Sequence, residues 1–321
     1  MKLRQQLPSD FAPGSTVDGF ILHEIVGRGS FSTVYLATHS DWQGRKVAFK
    51  VLHPGIQKRL QKNRGAQNPY LKEQMLCRRL NDAAVCRVLK VGNTSNGLCF
   101  AALEWADGKL LEQHIKEYAT GMPMWEIAAV LANLGRVVSE MHIQRVIHRD
   151  IKPANIIINH TSHASLKVKI LDFGIAKLLD ENDGKSEPDE IMIGTPRYMS
   201  PEQAAGEMMR PRSDIFSMSA VAYEMATGRR HIQPERRGAE GYIEILLGVG
   251  EIPQTSLLTL RPDFPEQAAA MINKGLSRDP DERPKSVKTF LKGVLPHIKG
   301  KDIPELGLLQ RTWEFLNKPV L

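Results

Sequence analysis

Two short strings near the middle of the chain hold the residue types best suited to chemistry. Val146-Ile147-His148-Arg149-Asp150-Ile151-Lys152-Pro153-Ala154-Asn155 runs into the apolar triplet Ile156-Ile157-Ile158, and Ile170-Leu171-Asp172-Phe173-Gly174 follows it. Asp150, Asn155 and Asp172 thus offer oxygen donors on loops that flank short apolar strands, a set that suits a hard cation such as Mg²⁺, which takes oxygen ligands and keeps several waters. One Asp in a turn carries little information; a ten-residue string of this kind is not chance. Earlier, Gly27-Arg28-Gly29-Ser30-Phe31-Ser32-Thr33-Val34 lies between two strand-like stretches, and glycines there let a backbone approach a phosphate closely. By itself that string is equally a hairpin turn, and Ser32 stands where a dinucleotide fingerprint needs its third glycine. Val47-Ala48-Phe49-Lys50 ends an apolar strand in a lysine. An edge-strand lysine is the plain reading, but Glu73, in a helix-spaced segment, supplies a carboxylate that would hold Lys50 toward phosphates.

The elements that must position these groups fall into two kinds. Residues 20–52 read as a strand meander: Phe20-Ile21-Leu22 with Ile25-Val26, then Thr33 to Ala37, then Lys46 to Leu52, separated by polar or Gly-containing turns. Tyr70 to Leu80 has helical apolar spacing at Leu71, Met75, Leu76 and Leu80. Further strands are expected around Val85 to Val91 and Leu98 to Leu103. Beyond Asp107-Gly108 the spacing becomes helical, as over Trp125 to Ile143. A β-rich part is therefore followed by a helix-rich part.

Composition removes several alternatives. The 321 residues carry 43 Lys/Arg against 36 Asp/Glu, a net charge of +7. The excess is local, because residues 1–103 hold 15 basic against 6 acidic residues. A basic balance favours nucleic acid or anionic membranes, but the basic stretch Lys58 to Lys90 lacks the interleaved aromatics that stack on bases. No nucleic-acid partner is expected. No apolar run has the length of a membrane span, and Met1-Lys2-Leu3-Arg4 has no apolar core behind it, so a cytoplasmic location is expected. Three cysteines, Cys77, Cys86 and Cys99, are too few for a disulfide framework.

In order along the chain stand the Gly-rich loop, Val47-Ala48-Phe49-Lys50, Glu73, His148-Arg149-Asp150, Asp172-Phe173-Gly174, Gly194-Thr195-Pro196-Arg197-Tyr198-Met199-Ser200-Pro201-Glu202, Asp214 and Arg283. With these motifs the chain resembles the eukaryotic-type (Hanks-type) protein kinase family over residues 20–295. Ser200-Pro201-Glu202-Gln203 and Asp279-Pro280-Asp281-Glu282-Arg283-Pro284 are most similar to its bacterial serine/threonine branch. The resemblance implies an α+β, bilobal fold: a lead over 1–19, a small β-rich N-lobe with one helix over 20–103, a hinge at 104–107, a mainly helical C-lobe over 108–295, and a tail over 296–321.

It also implies an activity, the transfer of the ATP γ-phosphate to Ser or Thr hydroxyls of protein substrates, autophosphorylation included, with Mg²⁺ or Mn²⁺. The alternatives are a non-catalytic nucleotide-binding scaffold and a small-molecule kinase. By resemblance Lys50 holds the α- and β-phosphates and Glu73 fixes its ammonium. Asp150 takes the proton of the acceptor hydroxyl, Lys152 neutralises the γ-phosphate, and Asn155 with Asp172 holds the metal. Gly27, Arg28, Gly29, Ser30, Phe31 and Ser32 would cover the phosphates. Val34, Ala48 and Ile157 would sandwich the adenine against a hinge of Glu104, Trp105 and Ala106, with Leu103 beside it. Thr195 would shape the acceptor pocket. Glu202 with Arg283, and Asp214 with the loop backbone, read as structural.

Arg149 and Lys177 offer a basic pocket for a negative charge on the activation segment. Asp180 to Glu190 holds six acids and a single hydroxyl, Ser186, so Asp189 and Glu190 are expected to stand in part for phosphorylated residues. His160 and His163 have near metal-ligand spacing but are expected in an exposed turn with no carboxylate nearby. The tail, with Leu308, Leu309, Trp313 and Phe315, is expected to dock on the chain itself or on a partner.

Overall fold

The computed structural model describes residues 7–29, 31–62, 74, 77–162, 165–172, 196–234, 240–241, 244 and 255–298. The readings that rest on Ser30, Glu73, His163, Lys177, Asp189, Glu190, Thr195 and the tail beyond Ile298 lie outside these residues, as does most of the helix expected over Tyr70 to Leu80. The described residues form two compact units that divide between Ala106 and Asp107. The architecture is α+β, with a sheet in the first unit and mostly helices in the second.

The first unit is one antiparallel sheet of β1 (Thr16–Val17), β2 (Phe20–Arg28), β3 (Ser32–His39), β4 (Lys46–Leu52), β5 (Val88–Asn93) and β6 (Cys99–Glu104), in the order β1-β2-β3-β4-β6-β5. Alternation along each strand sorts side chains by face. Tyr35, Ala37, Val47, Phe49, Val51, Phe100 and Ala102 go to the core with Phe20 and Leu22. Phe49 stacks on Phe100 at a centroid distance of 4.9 Å and meets Phe20 at 5.0 Å. The opposite pleat keeps Val34, Leu36, Ala48 and Lys50 only half-buried.

A helix not expected from the sequence, α1 (Pro54–Lys62), follows β4. Its buried Gln57 accepts from the Cys99 amide at 2.6 Å and donates to the Gly97 carbonyl, which ties the helix to the β5–β6 hairpin.

The second unit opens with β7 (Lys109–Leu110), α2 (Leu111–Ile115) and the long α3 (Met124–Ile143). The strands β8 (Ile156–Ser162) and β9 (Ser165–Ile170) pair antiparallel, and β7 joins their edge. Gly108 makes that join: its φ is +131°, and a Cβ there would collide with the Ile158 carbonyl oxygen. Further helices among the described residues are α4 (Pro201–Ala204), α5 (Pro211–Thr227), α6 (Leu257–Leu260), α7 (Glu266–Gly275) and α8 (Val287–Ile298). α5 starts at Pro211, where the missing N–H costs nothing, and ends on Gly228 at φ +68°. Residues 213–227 of this helix are buried throughout, which marks it as the centre of the unit.

One expectation is corrected here. His160 is not in a turn but in β8, opposite Leu166, and its Nε2 lies 3.1 Å from Glu126 Oε1. The polar run Asn159 to Ser162 looks like a loop in sequence, yet pairing with β9 carries it as strand.

Candidate active site

α3 ends at Ile143, and the chain then doubles back: the Val146 amide donates to the Met141 carbonyl at 2.8 Å, with Arg145 at φ +59°. The segment that follows, His148 to Asn155, is organised by a carboxylate from another helix. Asp214, in the first turn of α5, accepts from the His148 amide at 2.8 Å, the Arg149 amide at 2.9 Å and His142 Nε2 at 2.8 Å. A carboxylate in that position is favoured by the helix N-terminus and is otherwise costly to bury, so three donors to one group make a stiff anchor. The anchor is needed because Arg149 has φ +67°, a conformation unfavourable for any residue with a Cβ. The Arg149 carbonyl is held as well, by Gln203 Nε2 at 3.1 Å. Burial pushes the His148 imidazole below its ordinary pKa, against the opposing pull of Asp214 and Asp150.

Beyond this anchor the candidate side chains converge. Lys152 Nζ lies 2.8 Å from Asp150 Oδ2, and Asn155 Nδ2 donates to both the Asp150 carbonyl and Asp150 Oδ2 at 2.9 Å. The short turn Pro153–Asn155 closes the loop, with the Asn155 amide donating to the Lys152 carbonyl at 3.0 Å. From there the chain enters β8, whose Ile156 pairs with Ile170 of β9. Asp172 comes two residues after Ile170, and the Leu171 amide donates to the Asn155 carbonyl at 2.9 Å. Hairpin register and that one bond therefore bring Asp172 to the same end as Asn155. With the Asn155 amide nitrogen turned to Asp150, its Oδ1 remains as an oxygen donor alongside the Asp172 carboxylate. This donor chemistry fits Mg²⁺.

In the first unit the register aligns the other candidates. Gly27 pairs with Val34, Val34 with Lys50, and Lys50 with Ala101; one step along, Leu36, Ala48 and Leu103 form a second row. Val34, Ala48 and Lys50 therefore share one face of the sheet, opposite the aromatic core. The Gly-rich hairpin is closed by the Gly29 amide donating to the Ser32 carbonyl at 2.9 Å, and the His53 amide holds the Phe31 carbonyl at 2.9 Å. Glu104 ends β6, its amide donating to the Arg87 carbonyl at 2.9 Å; Trp105 and Ala106 follow outside the sheet. Ile157 sits in β8 opposite Leu110 and Lys169, in the second unit.

Comparison with known proteins decides the family. The family described as "protein kinase domain" matches residues 20–293. The chain belongs to the protein kinase family. Among curated relatives, this kinase is 28% identical over 269 residues to the probable serine/threonine-protein kinase PknB of Corynebacterium glutamicum, covering 83% of this chain and 40% of that protein. It is 31% identical over 279 residues to the serine/threonine-protein kinase PknB of Mycolicibacterium smegmatis, covering 84% and 41%. The chain thus spans about two fifths of the length of these relatives. The PknI kinase domain of Mycobacterium tuberculosis shares the fold with a TM-score of 0.66 at 21% identity, over 90% of this chain and 99% of that one.

The C-terminal half of the kinase holds a second polar centre. Arg283, 1% exposed, donates to both carboxylate oxygens of Glu202, at 2.7 and 2.8 Å, and Ser213 Oγ adds a bond at 2.6 Å. Burial pushes the Glu202 carboxyl up, but these hydrogen bonds outweigh it and hold the group at about 2. The guanidinium also caps the Ser277 and Arg278 carbonyls and lies over the Phe216 ring at 5.1 Å. Every donor that counts is used, which is the condition under which a buried ion pair is tolerated. Nearby, Tyr198 donates to Glu224 at 2.5 Å while its carbonyl accepts from Ser217 Oγ at 2.6 Å, so residues 197–204 are fastened to α5.

Two residues of this framework carry no sequence signal, His142 and Gln203. His142 reads as one more polar residue at a helix end, and Gln203 as the last residue of the Ser200-Pro201-Glu202-Gln203 string, with nothing to show what it bonds. Only the fold brings them to Asp214 and to the Arg149 carbonyl.

Proposed function

We propose that this chain is a serine/threonine protein kinase that transfers the γ-phosphate of ATP to hydroxyls of protein substrates, itself included. The observation that carries the reading is the arrangement of Asp150, Lys152 and Asn155 on one loop, with Asp172 delivered beside Asn155 by the β8–β9 hairpin. Phosphoryl transfer asks a protein for positioning and charge compensation more than covalent chemistry. Asp150 orients the acceptor hydroxyl and takes its proton. Lys152, already held against Asp150, compensates charge on the transferred group. Asn155 and Asp172 would hold Mg²⁺, or Mn²⁺ in its place, which when bound would neutralise the phosphate oxygens. Lys50, with Glu73, holds the remaining phosphates under the hairpin of Gly27, Arg28, Gly29, Ser30, Phe31 and Ser32. Val34, Ala48 and Ile157 contact the adenine, and the backbone of Glu104 and Ala106 gives it hydrogen bonds.

Thr195 shapes the acceptor pocket, and Asp189 and Glu190 supply Arg149 and Lys177 with part of the charge that phosphorylation would bring. Asp189→Asn with Glu190→Gln should then lower the activity of dephosphorylated protein. The three cysteines are buried and form no disulfide among the described residues, which supports a reducing, cytoplasmic setting. Among the described residues no helix is long and apolar enough to cross a membrane.

The deciding experiment incubates the purified chain with Mg-ATP and a generic protein acceptor, beside its Asp150→Asn variant. Phosphoserine or phosphothreonine that is lost in the variant supports the proposal. Nucleotide binding without any transfer would favour a scaffold, and transfer only to small hydroxyl compounds a small-molecule kinase.

A further inference from the structure

Three side chains from distant parts of the second unit meet with ligand atoms within 4.8 Å of one another: His114 from α2, Glu126 from the first turn of α3, and His160 from β8. His114 Nε2 lies 2.6 Å from Glu126 Oε2, and His160 Nε2 lies 3.1 Å from Glu126 Oε1. We propose that His114, Glu126 and His160 form a zinc site that joins these three elements.

Donor chemistry is the first argument. Two imidazole nitrogens and one carboxylate suit Zn²⁺, whereas Mg²⁺ and Ca²⁺ want oxygen throughout. Tetrahedral zinc with bonds of ~2.1 Å needs donors ~3.4 Å apart, so the 2.6 Å pair must open and the widest separation close, both within side-chain movement. The fourth position belongs to water.

The second argument comes from the other face of His114. Its Nδ1 lies 3.1 Å from Glu117 Oε2, and Glu117 is fixed in turn by Lys109 Nζ at 2.5 Å. Zinc-bound imidazoles characteristically donate their other N–H to a carboxylate, which fixes the tautomer. With Nδ1–H given to Glu117, Nε2 would present its lone pair to a cation shared with Glu126.

Access is the third argument. His114 and Glu126 have side-chain exposures of 3% and 4%, but His160 keeps 34%. Two ligands are thus preorganised in the interior while the third opens the way to solvent. Sequence spacing alone placed His160 in an exposed turn with no carboxylate nearby. His114 and Glu126, brought in by the fold, complete the set.

The test titrates ZnCl₂ into the chelator-treated 321-residue chain in excess Mg²⁺, by calorimetry and thermal melting. The expected result is saturable binding of one Zn²⁺ with a raised Tm, and loss of both in His160→Ala and in Glu126→Gln. His160→Ala removes a partly exposed side chain, so circular dichroism should show it folded. As a spectroscopic check, Co²⁺ should give a tetrahedral visible spectrum that His160→Ala abolishes. No saturable Zn²⁺ binding, or binding that His160→Ala retains, overturns the proposal.

Discussion

Lys152 Nζ and Asp150 Oδ2 lie 2.8 Å apart with both side chains more than four-fifths buried. Two residues apart on one loop, they form an ion pair that needs no other element to assemble it, and Asn155 Nδ2 bonds the same Asp150 oxygen. The Asp150 carboxylate is thus fixed in orientation, as the proton acceptor proposed for this site would need to be. Asp150→Asn should lower kcat by ~10²–10⁴ with little change in the KM for ATP, because general-base catalysis is worth about that much and nucleotide contacts are untouched. Steady-state phosphate transfer measures it, and unchanged kcat would remove Asp150 from the mechanism.

Asp214 holds the loop rather than touching substrate. Replacing it with Asn keeps the volume but removes the charge from three hydrogen bonds, two of them to the backbone beside the strained Arg149. A charge-assisted bond contributes about 1.5–3 kcal/mol, so Asp214→Asn should cost roughly 2 kcal/mol or more of stability. Melting should fall by several degrees, and kcat should fall while the KM for ATP stays close to that of the parent. A fall in KM-controlled activity alone would place Asp214 elsewhere in the mechanism.

The Glu202–Arg283 pair makes an acid-sensitive bolt. The folded Glu202 titrates at about 2, below the ~4.3 of an unfolded glutamate. Its contribution is therefore complete above pH ~4.3 and is lost as pH falls toward 2. Arg283→Met should destabilise by about 3–5 kcal/mol, because it leaves a buried carboxylate without its partner. Glu202→Gln with Arg283→Met should recover part of that loss, which a double-mutant cycle by urea denaturation would reveal. Additive losses would mean that the two groups do not interact.

How much of this was legible before folding depends on distance along the chain. The string His148 to Asn155 could be read as one unit because Lys152 and Asn155 reach Asp150 from two and five residues away, and the β2–β4 meander because alternating β-branched and aromatic residues mark one buried face. α1 went unseen since Ile56 and Leu60 are its only aliphatic residues in a short, polar run; it is held by Gln57, whose partners are 40 and 42 residues away. The same limit hid the surroundings of His160, whose carboxylate is 34 residues distant. Local patterns state what a segment favours, and hydrogen bonds between distant segments decide what it meets.

His231 gives a second pH response, within the range where proteins are handled. It is 4% exposed, and its Nε2 has no hydrogen-bond partner among the described residues. The rings of Phe216 and Tyr223 face it edge-on at 5.6 and 6.5 Å. Burial alone pushes its pKa down to about 4, against ~6.5 unfolded. Below 6.5 the unfolded chain binds this proton and the folded one does not, so stability falls with pH between 6.5 and 4, by up to about 3 kcal/mol in all. Above 6.5 the group is neutral in both states and contributes no slope. His231→Leu removes the proton site while keeping the pocket filled, and should flatten the stability curve over that window while leaving the Glu202 limb below it. Melting temperatures measured from pH 7 to 4 on both proteins would show this; parallel curves would assign the slope to other groups.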